Sequence, residues 1–284
     1  MATAFVNGAT IHYEEMGEGE PIVFIPGGRS DKEVMRPIAE MLAADYRCII
    51  YDRRNCGASD VIIEGEGSDQ EIWADELKAL IEHLGLGQAY LSGWSAGCRV
   101  SLLTAIRHPQ AVKGLLLGWV TGGASAAERL AHEYYGQFIE AAEGGGMEEV
   151  ARTPFFAERI QQNPANRERL LGMDVGEFIA VMRRWSTFFS EGAHLPVIGA
   201  TEAELSAIAI PTIIVSGDDD THTPQAAQNL HRLIAGSEFH APPIARDEWY
   251  RLQDAGADAV ARVRAERAGP TFKEFLKHIR SKSG

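Results

Sequence analysis

Ala89-Tyr-Leu-Ser-Gly-Trp-Ser-Ala-Gly-Cys-Arg-Val100 is the stretch that decides how the rest of the chain is read. It opens as a short apolar run, and from Cys98 to Arg107 it becomes rich in Val, Leu and Ala before Pro109 stops it. A proline lacks the N–H that a helix needs, so the second part reads as a helix closed at that point. Between the two lies Gly93-Trp94-Ser95-Ala96-Gly97, which fits G-x-S-x-G. A strand that turns abruptly into a helix leaves no room for bulk around the turn, and such a turn holds the serine hydroxyl clear of the backbone at the positive end of the helix dipole. The bare pentapeptide recurs by chance; its strand–turn–helix setting gives it weight and marks Ser95 as a nucleophile candidate.

Outward from this turn, short apolar runs alternate with helical patterns. Pro21–Pro26, Tyr46–Tyr51, Ala89–Ser92 and Gly114–Val120 read as strands buried on both faces, and Ile210–Gly217 restores the same pattern late in the chain. Asp69–Leu84 places Ile72, Trp73, Leu77, Leu80, Ile81 and Leu84 on one helical stripe, as a helix packed on a sheet does. Alternation of this kind predicts parallel strand–helix–strand units. Residues 122–206 instead carry helical patterns and no convincing strand. One runs over Ala124–Glu143 to the stop Gly144-Gly-Gly146, another over Asp174–Phe189. The expected architecture is α/β: a mostly parallel doubly wound sheet formed by residues 1–121 and 207–284, with a helical cap inserted at 122–206. About 200 residues of core suffice for one sheet domain.

Composition narrows the function. Lys plus Arg number 27 against 40 Asp plus Glu, a net charge of −13. A surface that acidic repels phosphate backbones, and no basic patch of useful size interrupts it, so nucleic acid is not an expected partner. No run of about 18 uncharged apolar residues is present to span a membrane, and the N-terminus has no signal-peptide pattern. Three cysteines, Cys48, Cys56 and Cys98, suit a reducing cytoplasm better than a disulfide scaffold. No Cys/His spacing fits a zinc site, and no glycine-rich segment fits a phosphate-binding fingerprint. The expectation is a cytoplasmic protein, monomer or homodimer, acting on a small molecule without metal or cofactor.

With the Ser95 turn in place, the chain resembles the α/β-hydrolase superfamily over nearly its whole length. Phe24-Ile-Pro-Gly-Gly28 is similar to the strand-to-loop segment that supplies one oxyanion-hole amide; Pro26 stands where a His is usual, and Gly28 would be the donor. Asp52-Arg-Arg-Asn-Cys-Gly-Ala-Ser59 resembles that family's Asp-x-Arg-Gly-x-Gly-x-Ser turn, with Asn55 at a glycine position. Gly217-Asp-Asp-Asp-Thr-His-Thr-Pro224 resembles Gly-x-x-Asp-x-x-x-Pro, which implies Asp220 as the acid of a catalytic triad. Asp218 and Asp219 read as ordinary solvated turn acids beside it. Acyl transfer leaves a negative oxygen that backbone amides about 3 Å away stabilise, and the amides of Ala96 and Gly28 suit that role.

A serine hydroxyl also needs an adjacent base oriented by an acid. The resemblance implies a Gly-His pair after the last strand, but Gly236–Tyr250 holds none, and the expected position falls near Arg246 or Asp247. Six histidines read as surface or packing positions, and His278 lies in a terminal helix expected over Thr271–Ile279. His240, at the last strand, and His222, two residues past Asp220, remain as candidate bases, beside the alternative that no conventional triad exists. Aromatic residues of the cap, Trp185 among them, together with Trp94 would contribute to an apolar substrate pocket. Arg183-Arg184 could meet a carboxylate or lie solvated. The implied function is a serine-type hydrolase of esters, lactones or related acyl bonds, with two alternatives: carbon–carbon bond hydrolysis at the same site, or a ligand-binding protein that has lost catalysis.

Overall fold

The computed structural model describes residues 2–122 and 124–283. Eight strands form one sheet: β1 (Ala2–Val6), β2 (Ala9–Met16), β3 (Glu20–Ile25), β4 (Tyr46–Tyr51), β5 (Ala89–Trp94), β6 (Val112–Gly118), β7 (Thr212–Val215) and β8 (Glu238–His240). Their order is β1-β2-β4-β3-β5-β6-β7-β8. β2 pairs antiparallel with β1 and with β4, and every other pairing is parallel. The hairpin that starts the sheet was not anticipated. Its turn is Asn7-Gly8, with φ of 46° and 78°, the left-handed pair that a two-residue hairpin loop requires.

Alternation along each inner strand sorts side chains to two faces. Val23, Ile25, Ile49 and Leu91 pack with α2 (Asp69–His83) and α3 (Ala96–Arg107), whereas Ile22, Phe24, Ile50 and Tyr90 pack with α1 (Arg36–Leu42) and a long C-terminal helix. Each such burial contributes about 1.5–3 kcal/mol. Ser68 and Glu71 close the start of α2 with a reciprocal capping box, which satisfies two otherwise orphaned amides.

Between β6 and β7 run α4 (Ala124–Ala131), α5 (Gln137–Arg152), α6 (Pro154–Gln162), α7 (Ala165–Leu171), α8 (Val175–Glu191) and α9 (Glu202–Ser206). Tyr135, Phe138, Phe156, Phe178, Trp185 and Phe189 close on one another there as a third apolar cluster. The glycine triplet ends a helix as expected: non-helical angles at Gly145 and Gly146 separate two helical pieces within α5, the second of which runs to Arg152. α10 (Pro224–Leu233) follows β7, and α11 (Arg246–Asp254) and α12 (Ala257–Ser283) follow β8. The terminal helix is far longer than its expected core and passes through Pro270. No described helix is long and apolar enough to cross a membrane.

Candidate active site

The turn from β5 into α3 sets Ser95 at φ 56° and ψ −119°, a strained backbone for a residue with a Cβ. A side chain on Gly97 would drive into the Ile25 carbonyl, and one on Gly93 would lie 2.6 Å from Ser101 Oγ, so the small residues flanking the serine are sterically required. The buried Cys98 donates towards the carbonyls of Gly93 and Gly118, and burial pushes its thiol up to about 12, which leaves it unreactive.

Ser95 Oγ lies 2.8 Å from His222 Nε2, and His222 Nδ1 lies 2.8 Å from Asp219 Oδ2. The second oxygen of Asp219 accepts from the amides of Thr221 at 2.8 Å and His222 at 3.0 Å, so this carboxylate builds the turn that carries His222. Asp219 and His222 sit between β7 and α10, and Ser95 between β5 and α3, at the carboxyl ends of the parallel strands. Burial lowers the His222 pKa below its usual value; the hydrogen bond and charge of Asp219 oppose that only in part. Burial acts to raise Asp219, yet its bonds with His222 and the two amides bring it below the ordinary carboxylate range. The Trp249 ring packs against His222 in a T-shaped arrangement, with centroids 6.0 Å apart.

Two expectations are corrected here. Asp220, expected to orient the base, faces solvent with 78% of its side chain exposed, where Arg246 Nη1 donates to it at 2.6 Å and the Tyr250 hydroxyl at 2.8 Å. Its neighbour Asp219, taken for a solvated turn acid, is 3% exposed and holds the imidazole. The turn buries Asp219 and leaves Asp220 in solvent, a difference that the spacing alone does not distinguish. His240 lies on the edge strand with Nε2 2.6 Å from Glu238, away from Ser95, and its carbonyl accepts from the Ser216 amide. Of the two candidate bases, the structure brings only His222 to the serine.

Gly28 and Ala96 both border the serine. Gly28 has φ +46°, a conformation that disfavours any side chain, and neither amide donates to a turn, loop or side-chain oxygen among the described residues. Arg53 fixes this loop: its Nη2 donates to the Gly28 carbonyl at 2.6 Å while its guanidinium lies 4.4 Å from the Trp73 ring. Arg159 of α6 donates to the Arg29 carbonyl next along, tying the helical segment to the same loop. Asn55, at the unusual glycine position, takes φ 66° and bonds Ile62 through both ends of its amide, which explains how a non-glycine is held there.

A cavity of about 390 Å³ opens beside Ser95 and His222. Its wall comes mainly from the C-terminal helices, through Trp249, Gln253, Val260, Ala261 and Arg264, and not from the aromatic residues between β6 and β7. Trp185 is corrected accordingly: it is 1% exposed and donates to the Gly67 carbonyl within the helical cluster. Trp94 is equally buried and packs at a tilt against Trp119, and it does not line the cavity either. Arg183 pairs with Glu143 and Arg184 with the Gly65 carbonyl, both at the surface. A larger cleft of about 500 Å³ near His194 and Thr223 holds none of these groups. Among the described residues, no three of His, Cys, Asp or Glu are grouped to hold a metal ion.

A family model described as the alpha/beta hydrolase fold matches residues 20–257, and the chain belongs to that superfamily. It is a hydrolase of the superfamily, with relatives of differing activity. A proline iminopeptidase from Lactobacillus acidophilus is 28% identical over 255 residues, which span 82% of this chain and 86% of that one. A non-heme haloperoxidase from Rhodococcus erythropolis is 29% identical over 254 residues, 84% of this chain and 89% of the other. Among solved structures, the enol-lactonase from Burkholderia xenovorans LB400 superposes with a TM-score of 0.62 at 20% identity, covering 97% of this chain and 100% of its own.

Proposed function

We propose that this protein is a serine hydrolase that cleaves an ester or lactone bond of a small substrate through an acyl-enzyme at Ser95. The observation that carries this reading is the continuous hydrogen-bond chain Asp219–His222–Ser95. Ser95 Oγ attacks the carbonyl carbon as His222 Nε2 takes its proton, and Asp219 holds the imidazole in the tautomer with the proton on Nδ1. The amides of Gly28 and Ala96 receive the negative oxygen of the tetrahedral intermediate. Collapse of that intermediate expels the alcohol, which takes the proton back from His222. Water then enters, gives a proton to His222, and attacks the acyl carbon to release the acid and restore Ser95.

The cavity wall favours an oxygen ester over the substrate of an aminopeptidase. A free amino terminus is largely cationic near neutral pH and calls for a carboxylate partner. Among the described residues no Asp or Glu lines this cavity, and the one permanently charged wall residue is the cation Arg264.

Intact-mass measurement after incubation with a fluorophosphonate probe tests the nucleophile. One adduct per chain, mapping to Ser95 and absent in Ser95→Ala, is the expected result. A folded sample that takes no label would overturn the hydrolase mechanism and return the protein to the ligand-binding alternative.

A further inference from the structure

We propose that Arg264 of α12 binds a carboxylate on the substrate, so that the Ser95 site acts on anionic esters or lactones; this deepens the serine-hydrolase reading and rests on it. Arg264 lines the same cavity as Ser95 and His222. Its guanidinium carbon lies 5.0, 4.9 and 4.6 Å from the ring centroids of Trp94, Trp119 and Trp249, in a cage of three indoles. Aromatic faces attract the cation but offer no lone pair or charge to its N–H donors.

The more deeply buried arginines are differently provided. Arg29 pairs with Asp69, Arg54 with Glu76, and Arg53 donates to the Gly28 carbonyl. Arg264 forms no ion pair and no hydrogen bond among the described residues, and its Nε is buried without a partner. Burial lowers its pKa to about 10, with Asp219 opposing the shift, so the group remains charged at neutral pH. A partly desolvated cation with open donors carries a cost unless something neutralises it. In a chain of net charge −13, which repels anions at long range, such a group beside a nucleophile serves as a local receptor. A carboxylate matches its planar fork, and the indole cage holds the fork in place. The volume suits a small molecule with one such group.

Two ester pairs test this and locate the charge. Mono-4-nitrophenyl glutarate against 4-nitrophenyl valerate places it on the acyl side, and 4-acetoxybenzoate against phenyl acetate on the leaving side. Arg264→Met should lower kcat/KM for one charged ester by about 10- to 100-fold while its neutral counterpart stays within about threefold, and Arg264→Lys should recover part of the loss. Equal losses on charged and neutral esters, or a wild type that favours neither charged ester, would overturn the proposal in favour of a purely structural role for the cage. If no ester is cleaved, the Ser95 mechanism has failed, and calorimetric titration with glutarate decides the point separately. Binding to wild type that Arg264→Met abolishes supports the anion site, and absence of binding overturns it.

Discussion

Asp219 and His222 are three residues apart in one turn, and their side chains are joined Oδ2 to Nδ1 at 2.8 Å. Acid and base are thus placed by a single loop, whereas the resemblance implied a base on a different segment, after the last strand. The loop is short because Asp219 also accepts the amides of Thr221 and His222, which closes the turn before α10 begins at Pro224. Gly217 makes the arrangement sterically feasible: a side chain there would come within 2.6 Å of His222 Cβ and of Trp119.

The first prediction separates the two histidines and the two aspartates. On an activated ester, His222→Ala should lower turnover on the order of 10³-fold or more and Asp219→Asn on the order of 10⁴-fold, both measured as kcat. His240→Ala and Asp220→Asn should stay within about threefold. A large loss at Asp220 with none at Asp219 would reverse the assignment of the acid.

The pH profile follows from the His222 environment. Only the neutral imidazole accepts the serine proton, so kcat/KM should rise with pH and level off once His222 is deprotonated. Because burial lowers its pKa, the rise should be centred below about 6.5, the ordinary histidine value. A profile centred well above 7 would contradict a desolvated imidazole.

Arg53 acts on the site through the loop it holds. Arg53→Met should free the Gly28 carbonyl and lower kcat by about tenfold or more, with KM nearly unchanged, because the oxyanion amide matters most in the transition state. Arg53→Lys should recover part of the rate. Equal changes in kcat for the chemistry and in binding of an uncleaved substrate analogue would argue against this positioning role.

Glu76 yields a stability prediction. It is 3% exposed, and burial pushes its pKa up from 4.5 to about 7, with the Arg54 charge and hydrogen bond opposing. A folded-state pKa above the unfolded one means the folded protein binds the extra proton, so stability present below about 4.5 is lost as pH rises through about 7. Glu76→Gln removes that loss. In urea unfolding, the variant should gain on wild type by about 2–3 kcal/mol between pH 5 and pH 8.

Much of this was legible in the chain, for definite physical reasons. The Ser95 turn could be read because steric crowding permits only small neighbours there, and a steric demand leaves its mark in adjacent residues. The parallel strands could be read because burial on both faces makes them continuously apolar. Asp219 could not be separated from Asp220, since three consecutive carboxylates look alike until the turn assigns each a direction. The aromatic residues after Val120 suggested a pocket, but they satisfy one another, and the cavity is walled by α11 and α12, whose polar sequences gave no such sign. The first hairpin had a readable signal in Asn7-Gly8 between alternating segments.

On the proposed mechanism one loop carries both acid and base, which leaves the segment after β8 without a part in proton transfer. That segment is free to become two helices, and these in turn furnish most of the cavity wall around Trp249 and Arg264. Reactivity and selectivity are therefore written in separate stretches of the polypeptide. Cavity-facing positions such as Gln253, Val260 and Ala261 are the ones to diversify for new substrates, with Trp249 kept because its ring packs against His222.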